Sequence, residues 1–575
     1  MELKIFYDGD CPFCQKYVKL LRLKSSVTTL EIVDLRKATD SKALFTELGY
    51  DLDNGMVAQL DGVAHYGADA INTIAMLSTP STWFNSVNAI LLRNRYSANF
   101  FYPIFRMMRW LTLLMLGKKT LAQETQGSYQ QTLFSVVFSL FSIFHVGNYL
   151  FEYDRLMLHY DLIAVLITAV SLFINPSSSR LLFLLVIVST VSTVIQAPVD
   201  SNHTMVRSIW LLGYWLSFVW CLVKSKQYHE IFSSSVAAGQ GTLLVMYGFG
   251  IFHKINSDFL NPVFSCAVTL WNEMPAPLSS IDIGGLDYMT IYGTFIIEGL
   301  IIVALLTTRF RHLGIVTGIG FHLLLALSNY AMYISFTTLA ICLHCLFISE
   351  SSAKNIVNSF EFSLIVKRLN TVFFKFILLC ILVSFAYAAF LKSYTQVSIL
   401  GMLVLLPFCY TILKHGQVRE EARLNSVSKR IGFICTIIFF ANCFMPYLGL
   451  KSAQSINMFA NLKLEGGKSN HLLISERWQY FDFLNDVVII TKMSSTLDTG
   501  LTMDKRFGEV YYGVLAALDN DPTLTISFIR DGILYKNQSK QTLQSDVDNV
   551  LLPSFVSKWF HFRPVYLESP QHCSV

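Results

Sequence analysis

Two cysteines enclosing a proline and a phenylalanine, Cys11-Pro12-Phe13-Cys14, stand where a short alternating apolar segment gives way to a helical one. A thiol in the first turn of a helix lies beside unpaired N–H groups and the positive end of the helix dipole. Both favour the thiolate, the form that attacks disulfides. Cys11 is therefore the expected nucleophile, and Cys14, three residues on, can resolve a mixed disulfide. Asp8 and Asp10 oppose thiolate formation unless they carry protons. A zinc half-site and two unreactive thiols are the alternatives, but no second Cys/His pair lies at zinc-site spacing, and no metal is expected.

A second set of chemically capable residues lies within long apolar runs: His145, Glu152, Asp161, His203, His253, Lys254, Asp258, Glu298 and His322. Ionisable groups at membrane depth are costly and face a cavity or a partner. Each alone has a plain explanation, since a charge at a helix end can snorkel and a buried histidine can bond a carbonyl. His203, Lys254 and Asp258 fall at the predicted outer ends of spans, where they could line one cavity, and a desolvated lysine there could act as a base. Cys342 and Cys345 share one helix face, as a redox relay or as a buried pair without chemistry. Cys573 reads as a lone thiol without a partner.

The elements that must hold these residues follow from pattern. Residues 3–8 read as a strand and 12–23 as a helix; strands at 30–35 and 56–60, a helix at 41–48 and a turn at Asp61-Gly62 complete a thioredoxin-like order. The chain has 575 residues, 53% hydrophobic and 14% charged, with a mean hydropathy of +0.48. That apolar excess requires a lipid bilayer. Runs near 132–151, 156–174, 180–198, 205–223, 240–256, 286–307, 313–331, 333–349, 372–391, 397–413 and 431–449 give about eleven spans. From Ser452 onward polarity rises, and 487–491, 510–514 and 524–528 read as strands of a small, mostly β domain, with a turn at Asp531-Gly532.

The expected fold is thus a multi-pass α-helical membrane protein with a thioredoxin-like α/β domain over 1–115, a bundle over 125–450 and a mostly β domain over 451–575. The basic, aromatic stretch carrying Arg93, Arg95, Arg106, Arg109, Lys118 and Lys119 reads as an amphipathic membrane-surface segment or a basic connector. The N-terminus lacks a signal-peptide pattern, and the basic clusters between spans fall on its side, so that side is expected to be cytoplasmic and residues 450–575 extracytoplasmic. The modest net charge of +5, dispersed between spans, argues against nucleic acid as a partner.

Two resemblances add to this reading. Tyr7-Asp-Gly-Asp-Cys-Pro-Phe-Cys14, with Asp61-Gly62 and Tyr66-Gly-Ala-Asp-Ala70, closely resembles the DCC family of thiol-disulfide oxidoreductases. Thioredoxins carry a cis-proline opposite their cysteines, whereas this chain has no proline between Pro12 and Pro80, so substrate capture is expected to differ. Tyr247 to Phe259, containing His253-Lys254 and Asp258, resembles the lysine motif of the vitamin K-dependent γ-carboxylases. Ser201-Asn202-His203 with Ile209 to Tyr214, and Phe321-His322 with Ser328 to Tyr333, resemble two further segments in order. This implies an HTTM (horizontally transferred transmembrane) domain. In that family the lysine deprotonates a reduced quinone, which makes Lys254 the matching base. Asn202 and His203 match residues near that chemistry, and His322 matches a further pocket histidine. His253 stands where the carboxylases have an additional lysine.

The candidate catalytic residues are Cys11, Cys14, Lys254 and His203; the candidate cofactor-binding residues are Asn202, Asp258 and His322, the implied cofactor being a reduced quinone. The expected function is a membrane-bound thiol-disulfide oxidoreductase of a bacterial inner membrane, acting on a thiol or disulfide and coupled to quinone chemistry in the bundle. One alternative is a carboxylase-like modifier of a peptide on the outer side. Another is a non-catalytic transporter or membrane scaffold.

Overall fold

A computed structural model of the chain describes residues 1–50, 52, 55–79, 81–115, 128–152, 159–197, 201–224, 229–281, 283–329, 333–363, 394–417, 424–495, 501–568 and 570–573. The chain divides into two compact units, Met1–Gly127 with Leu216–Phe232, and Ser128–Trp215 with Ser233–Val575.

The first unit opens with β1 (Glu2–Tyr7), α1 (Pro12–Leu20), β2 (Thr29–Asp34), α2 (Thr39–Glu47), β3 (Val57–Leu60), β4 (Val63–Tyr66) and α3 (Ala68–Leu77). The sheet order is β2-β1-β3-β4, with β1 parallel to β2 and the other pairs antiparallel. Alternation in β1 decides the layers. Leu3 and Ile5 point into a core shared with Val18, Ala70 and Ile74, while Phe6 joins Leu35, Phe45 and Val57 on the other face. Asp61 and Gly62 both have positive φ, 46° and 89°, which a two-residue hairpin turn of matching twist requires. Two further helices, α4 (Trp83–Leu92) and α5 (Arg95–Met115), follow. The basic residues of this stretch bond within the unit: Arg93 to the carbonyls of Ala75 and Ser78, Arg95 to Asp69, Arg106 to those of Cys221 and Leu222, and Arg109 to Asp8. Lys118 and Lys119 lie outside the described residues.

The helices that follow are α6 (Tyr129–Glu152), α7 (Tyr160–Ile174), α8 (Ser179–Ile195), α9 (Asn202–Val223), α10 (His229–His253), α11 (Cys266–Asn272), α12 (Leu286–Leu306), α13 (Arg311–Leu325), α14 (Ile334–Cys345), α15 (Glu350–Val357), α16 (Tyr394–His415) and α17 (Ser426–Phe444). Among the described residues six helical stretches are long and apolar enough to cross a membrane: 129–149, 202–223, 230–253, 286–306, 396–415 and 426–448. This departs from the expected eleven. The apolar runs at 156–174, 180–198, 313–331 and 333–349 fold as helices of 15, 17, 15 and 12 residues, shorter than the roughly 20 residues that cross a hydrocarbon core of about 30 Å without thinning it, the second of them at the lower limit. The run at 372–391 lies outside the described residues.

The last part builds a five-stranded sheet in the order β8-β7-β5-β6-β9, from β5 (Val487–Met493), β6 (Phe507–Val510), β7 (Ile526–Arg530), β8 (Ile533–Gln538) and β9 (Val565–Tyr566). Residues 510–514, expected as strand, instead leave β6 at Val510 and enter α18 (Tyr511–Asn520). Tyr511, Val514, Leu515 and Leu518 are buried on one face at helical spacing, and that burial outweighs the β preference of Tyr-Tyr-Gly-Val.

Cys573, expected to be alone, forms a disulfide with Cys266 at the start of α11, 307 residues away in sequence. Alkylation of the denatured, unreduced protein should therefore leave Cys266 and Cys573 unlabelled until reductant is added, as read by peptide mass spectrometry; labelling of either without reductant would refute the bond.

Candidate functional site

The thiol site is built at the C-terminal end of β1. Gly9 follows the strand because a Cβ there would collide with the Asp34 carboxylate, which instead accepts the Gly9 N–H at 3.0 Å. The chain then turns, and Cys11 occupies the N-cap of α1 with extended backbone (φ −87°, ψ 110°), Pro12 taking the first helical turn. Proline suits that position because its missing N–H is an orphan in any case. The sulfur of Cys11 does the work a serine or aspartate oxygen usually does at a cap: it accepts the Cys14 N–H at 3.3 Å.

Charges crowd this end of the helix. Asp8, buried, takes Arg36 Nε at 2.6 Å on one oxygen and Arg109 Nη2 at 2.7 Å on the other. Arg36 also reaches Asp10 at 3.3 Å. Burial alone would raise the Asp8 carboxyl, but the two guanidinium groups outweigh it and hold it below its ordinary range. Cys11 is brought down to about 6, chiefly by the hydrogen bond from the Cys14 thiol and then by the Cys14 N–H and the Arg109 charge, against the opposing pull of burial and of Asp8. Cys14, as donor in that bond and partly buried, has its proton held well above the ordinary thiol range.

Two thiols are thereby split into one that ionises readily and one that keeps its proton. The sign of the pH effect follows. Cys11 ionises at lower pH folded than unfolded, so the reduced form gains stability as pH rises from about 6 towards the ordinary thiol value of 9.0, and loses it as pH falls through about 6. The ultraviolet absorbance of the thiolate that is lost on Cys11→Ser should rise to half its plateau near pH 6 in the reduced protein; a midpoint near that of an ordinary thiol would refute the assignment.

Accessibility divides the pair the other way. Cys11 has 0% of its surface exposed, whereas Cys14 is partly exposed and walls a cavity of about 450 Å³ between α1, α4, α5 and the end of the sheet.

The second unit contains the other candidate residues. A cavity of about 350 Å³ brings together Asn202, Lys254 and His322. Lys254 Nζ donates to Glu298 Oε1 at 2.7 Å, both side chains being buried. The hydroxyl of Tyr247, on the cavity wall, lies 2.9 Å from His322 Nε2 and 3.3 Å from His344 Nε2. His203 is not among the lining residues; its Nε2 lies 3.1 Å from His145 Nδ1 and 3.2 Å from Ser201 Oγ. Asp258 accepts the side-chain amide of Asn470 at 2.9 Å and the Gln571 N–H at 2.8 Å on one oxygen, so it fastens the tail rather than facing the cavity.

The largest part of this arrangement that sequence reasoning missed is the segment after α17. The sequence leaves the polar, Gly-rich run 458–471 equally a connector loop or a segment resembling the one that follows HTTM bundles in DCC-bearing proteins, and the structure buries Ser455, Asn457, Asn461 and Glu465. Ile456 N–H bonds Asn202 Oδ1 at 2.8 Å, the Ser455 carbonyl meets His253 Nε2 at 2.8 Å, and Ala460 O accepts from Asn256 at 2.6 Å. Gln454, Ile456, Phe459 and Asn461 have φ of 57°, 64°, 56° and 51°, a costly conformation for a β-branched residue such as Ile456. Ile456, Met458 and Phe459 line the cavity. Little in the sequence signals this, since of the four left-handed residues only Asn461 is of a type that readily takes that backbone. Cys342 and Cys345 are fully buried in α14, and Cys342 Sγ lies 3.8 Å from Phe134 O.

Residues 5–113 match the family of DCC1-like thiol-disulfide oxidoreductases. No curated protein and no solved structure matches the chain. The matched stretch is the N-terminal α/β domain with α4 and α5, so the thiol site lies within a DCC1-like domain.

Proposed function

We propose that this protein is a membrane-bound thiol-disulfide oxidoreductase whose working groups are Cys11 and Cys14. The observation that carries this reading is the capping of α1 by the Cys11 sulfur, beside Arg109 and Asp8, with Cys14 opening onto a cavity. The family match over the same residues and the six apolar helices agree with it. The test is exchange itself: reduced protein in lipid nanodiscs, incubated with excess disulfide, should lose two alkylatable thiols, at Cys11 and Cys14, and regain them with dithiothreitol. Retention of both thiols would refute the reading. The Cys266–Cys573 disulfide supports an extracytoplasmic setting for the C-terminal domain, since such bonds persist in oxidising compartments.

A second reading, quinone chemistry in the bundle with Lys254 as base and a peptide substrate, draws on the shared cavity of Asn202, Lys254 and His322. Its apolar lining and two buried polar atoms without hydrogen-bond partners, Glu298 Oε2 and His322 Nδ1, fit a flat ring with polar substituents. A reduced quinone bound there would supply electrons. Of the chain's own groups, Lys254 Nζ lies 2.7 Å from Glu298 Oε1 at the wall of that cavity.

A further inference from the structure

We infer that the substrate of this dithiol is a small, largely apolar thiol or disulfide that enters the cavity beside α1 and forms its mixed disulfide with Cys14, not with Cys11. The inference rests on the oxidoreductase reading and names its substrate class and point of attachment.

Three observations carry it. Of the two sulfurs only Cys14 borders the cavity, Cys11 being sealed beneath it. The wall is built from Phe6, Tyr17, Trp83, Phe84, Leu91 and Phe105, and the exposed side chain of Trp83 continues it outward. A volume of about 450 Å³ suits a small molecule and is lined as small-molecule sites are, by aromatic and aliphatic groups with few polar ones. Third, a polypeptide captured by strand addition needs a free sheet edge, and the edges of this sheet are β2 and β4, whereas the cavity is lined from the end of β1 (Phe6, Tyr7) and from Met56 before β3, strands already paired on both sides.

The exchange balances without further reagents. In the oxidising direction a substrate thiolate attacks Cys14 Sγ of the protein disulfide; the new bond joins substrate to Cys14, the Cys11–Cys14 bond breaks, and the electron pair leaves on Cys11. Cys11 is the better leaving group because its thiolate is the stabilised one. A second substrate thiol then attacks the substrate sulfur, giving the substrate disulfide and freeing Cys14, which takes up the proton. In the reducing direction the Cys11 thiolate takes the proton of Cys14 as Cys14 attacks the substrate disulfide; the first thiolate released takes that proton away as a thiol, and the Cys11 thiolate then attacks Cys14 Sγ, closing the protein disulfide and expelling the second substrate sulfur as a thiolate.

The test uses the full chain, reduced, in nanodiscs, with dibenzyl disulfide and bis(2-hydroxyethyl) disulfide, both of which release alkyl thiols. Each rate is divided by the rate of the same disulfide with dithiothreitol. The expected ratio favours the benzyl compound at least ten-fold, saturates with its concentration, and is lowered by dibenzyl sulfide, which has a similar shape but no exchangeable bond. Val87→Trp, which fills the cavity, should bring the ratio towards one. In Cys11→Ser the benzylthio adduct should form on Cys14, and in Cys14→Ser an adduct on Cys11 should form at least ten-fold more slowly. A ratio near one with no effect of dibenzyl sulfide, faster exchange with an unfolded disulfide-bearing polypeptide, or adduct on Cys11 as fast as on Cys14 would each overturn the inference. Absence of exchange with every disulfide would instead overturn the oxidoreductase reading.

Discussion

Replacing Cys11 by serine is expected to reduce catalysed thiol–disulfide exchange by about 10³-fold or more, to the background of uncatalysed exchange. The two sulfurs act as one unit. Cys11 Sγ is fixed against the Cys14 N–H at 3.3 Å, so closure of the intramolecular disulfide competes with no diffusional step, an advantage that a serine oxygen cannot supply. The cluster of Arg36, Arg109 and Asp8 would persist in the variant, so its fold should persist and the loss would be chemical. Arg109→Met should act differently: the thiol remains, but one of the groups favouring its thiolate is gone, so the rate at pH 7 should fall by about ten-fold and recover as pH is raised. Turnover in nanodiscs, followed with a coupled reductant, checks both. A Cys11→Ser protein turning over within a few-fold of the parent would remove the dithiol from the mechanism.

Lys254→Met should destabilise the bundle by about 3–5 kcal/mol, because it leaves the Glu298 carboxylate buried without its cation. The bond is 2.7 Å long and both side chains are about nine-tenths removed from solvent. Glu298→Gln should cost less, since an amide still accepts a hydrogen bond from the ammonium. The double variant Lys254→Met with Glu298→Leu should recover most of the loss, as replacement of a buried pair by apolar side chains of similar volume is often neutral. Thermal unfolding of all four proteins in one detergent decides this. A Lys254→Met protein as stable as the parent would show that water reaches the pair.

The part of this chain that could be read in advance is the part set by local pattern. Cys11 and Cys14 announced themselves by spacing, the N-terminal strands and helices followed the alternation of Leu3, Ile5 and Phe6, and both Asp-Gly turns fold as hairpins with positive φ at Asp61 and Asp531. What remained hidden depends on contacts between distant residues. Nothing near Cys573 points to Cys266, and nothing in a polar, glycine-containing run from Ser452 to His471 says that it will be buried against the ends of α9 and α10. Glu298 could be recognised as costly, but not paired with Lys254. Nor could spacing tell that the ionisable sulfur is the covered one, or that α5 delivers Arg109 to Asp8 beside it.

That last arrangement sets the charge carried by each redox state. Asp8 is held ionised by two arginines, so it cannot take up a proton to compensate when Cys11 changes form. In the dithiol the two arginines face three anions, Asp8, Asp10 and the Cys11 thiolate; in the disulfide they face Asp8 and Asp10 and lose the third. Each turn of the exchange therefore moves one unit of negative charge into or out of a buried corner where salt screens poorly. The reduced site is thus one unit more negative than the oxidised one, so of the two states the disulfide is the more favourable for an approaching thiolate and the dithiol the less.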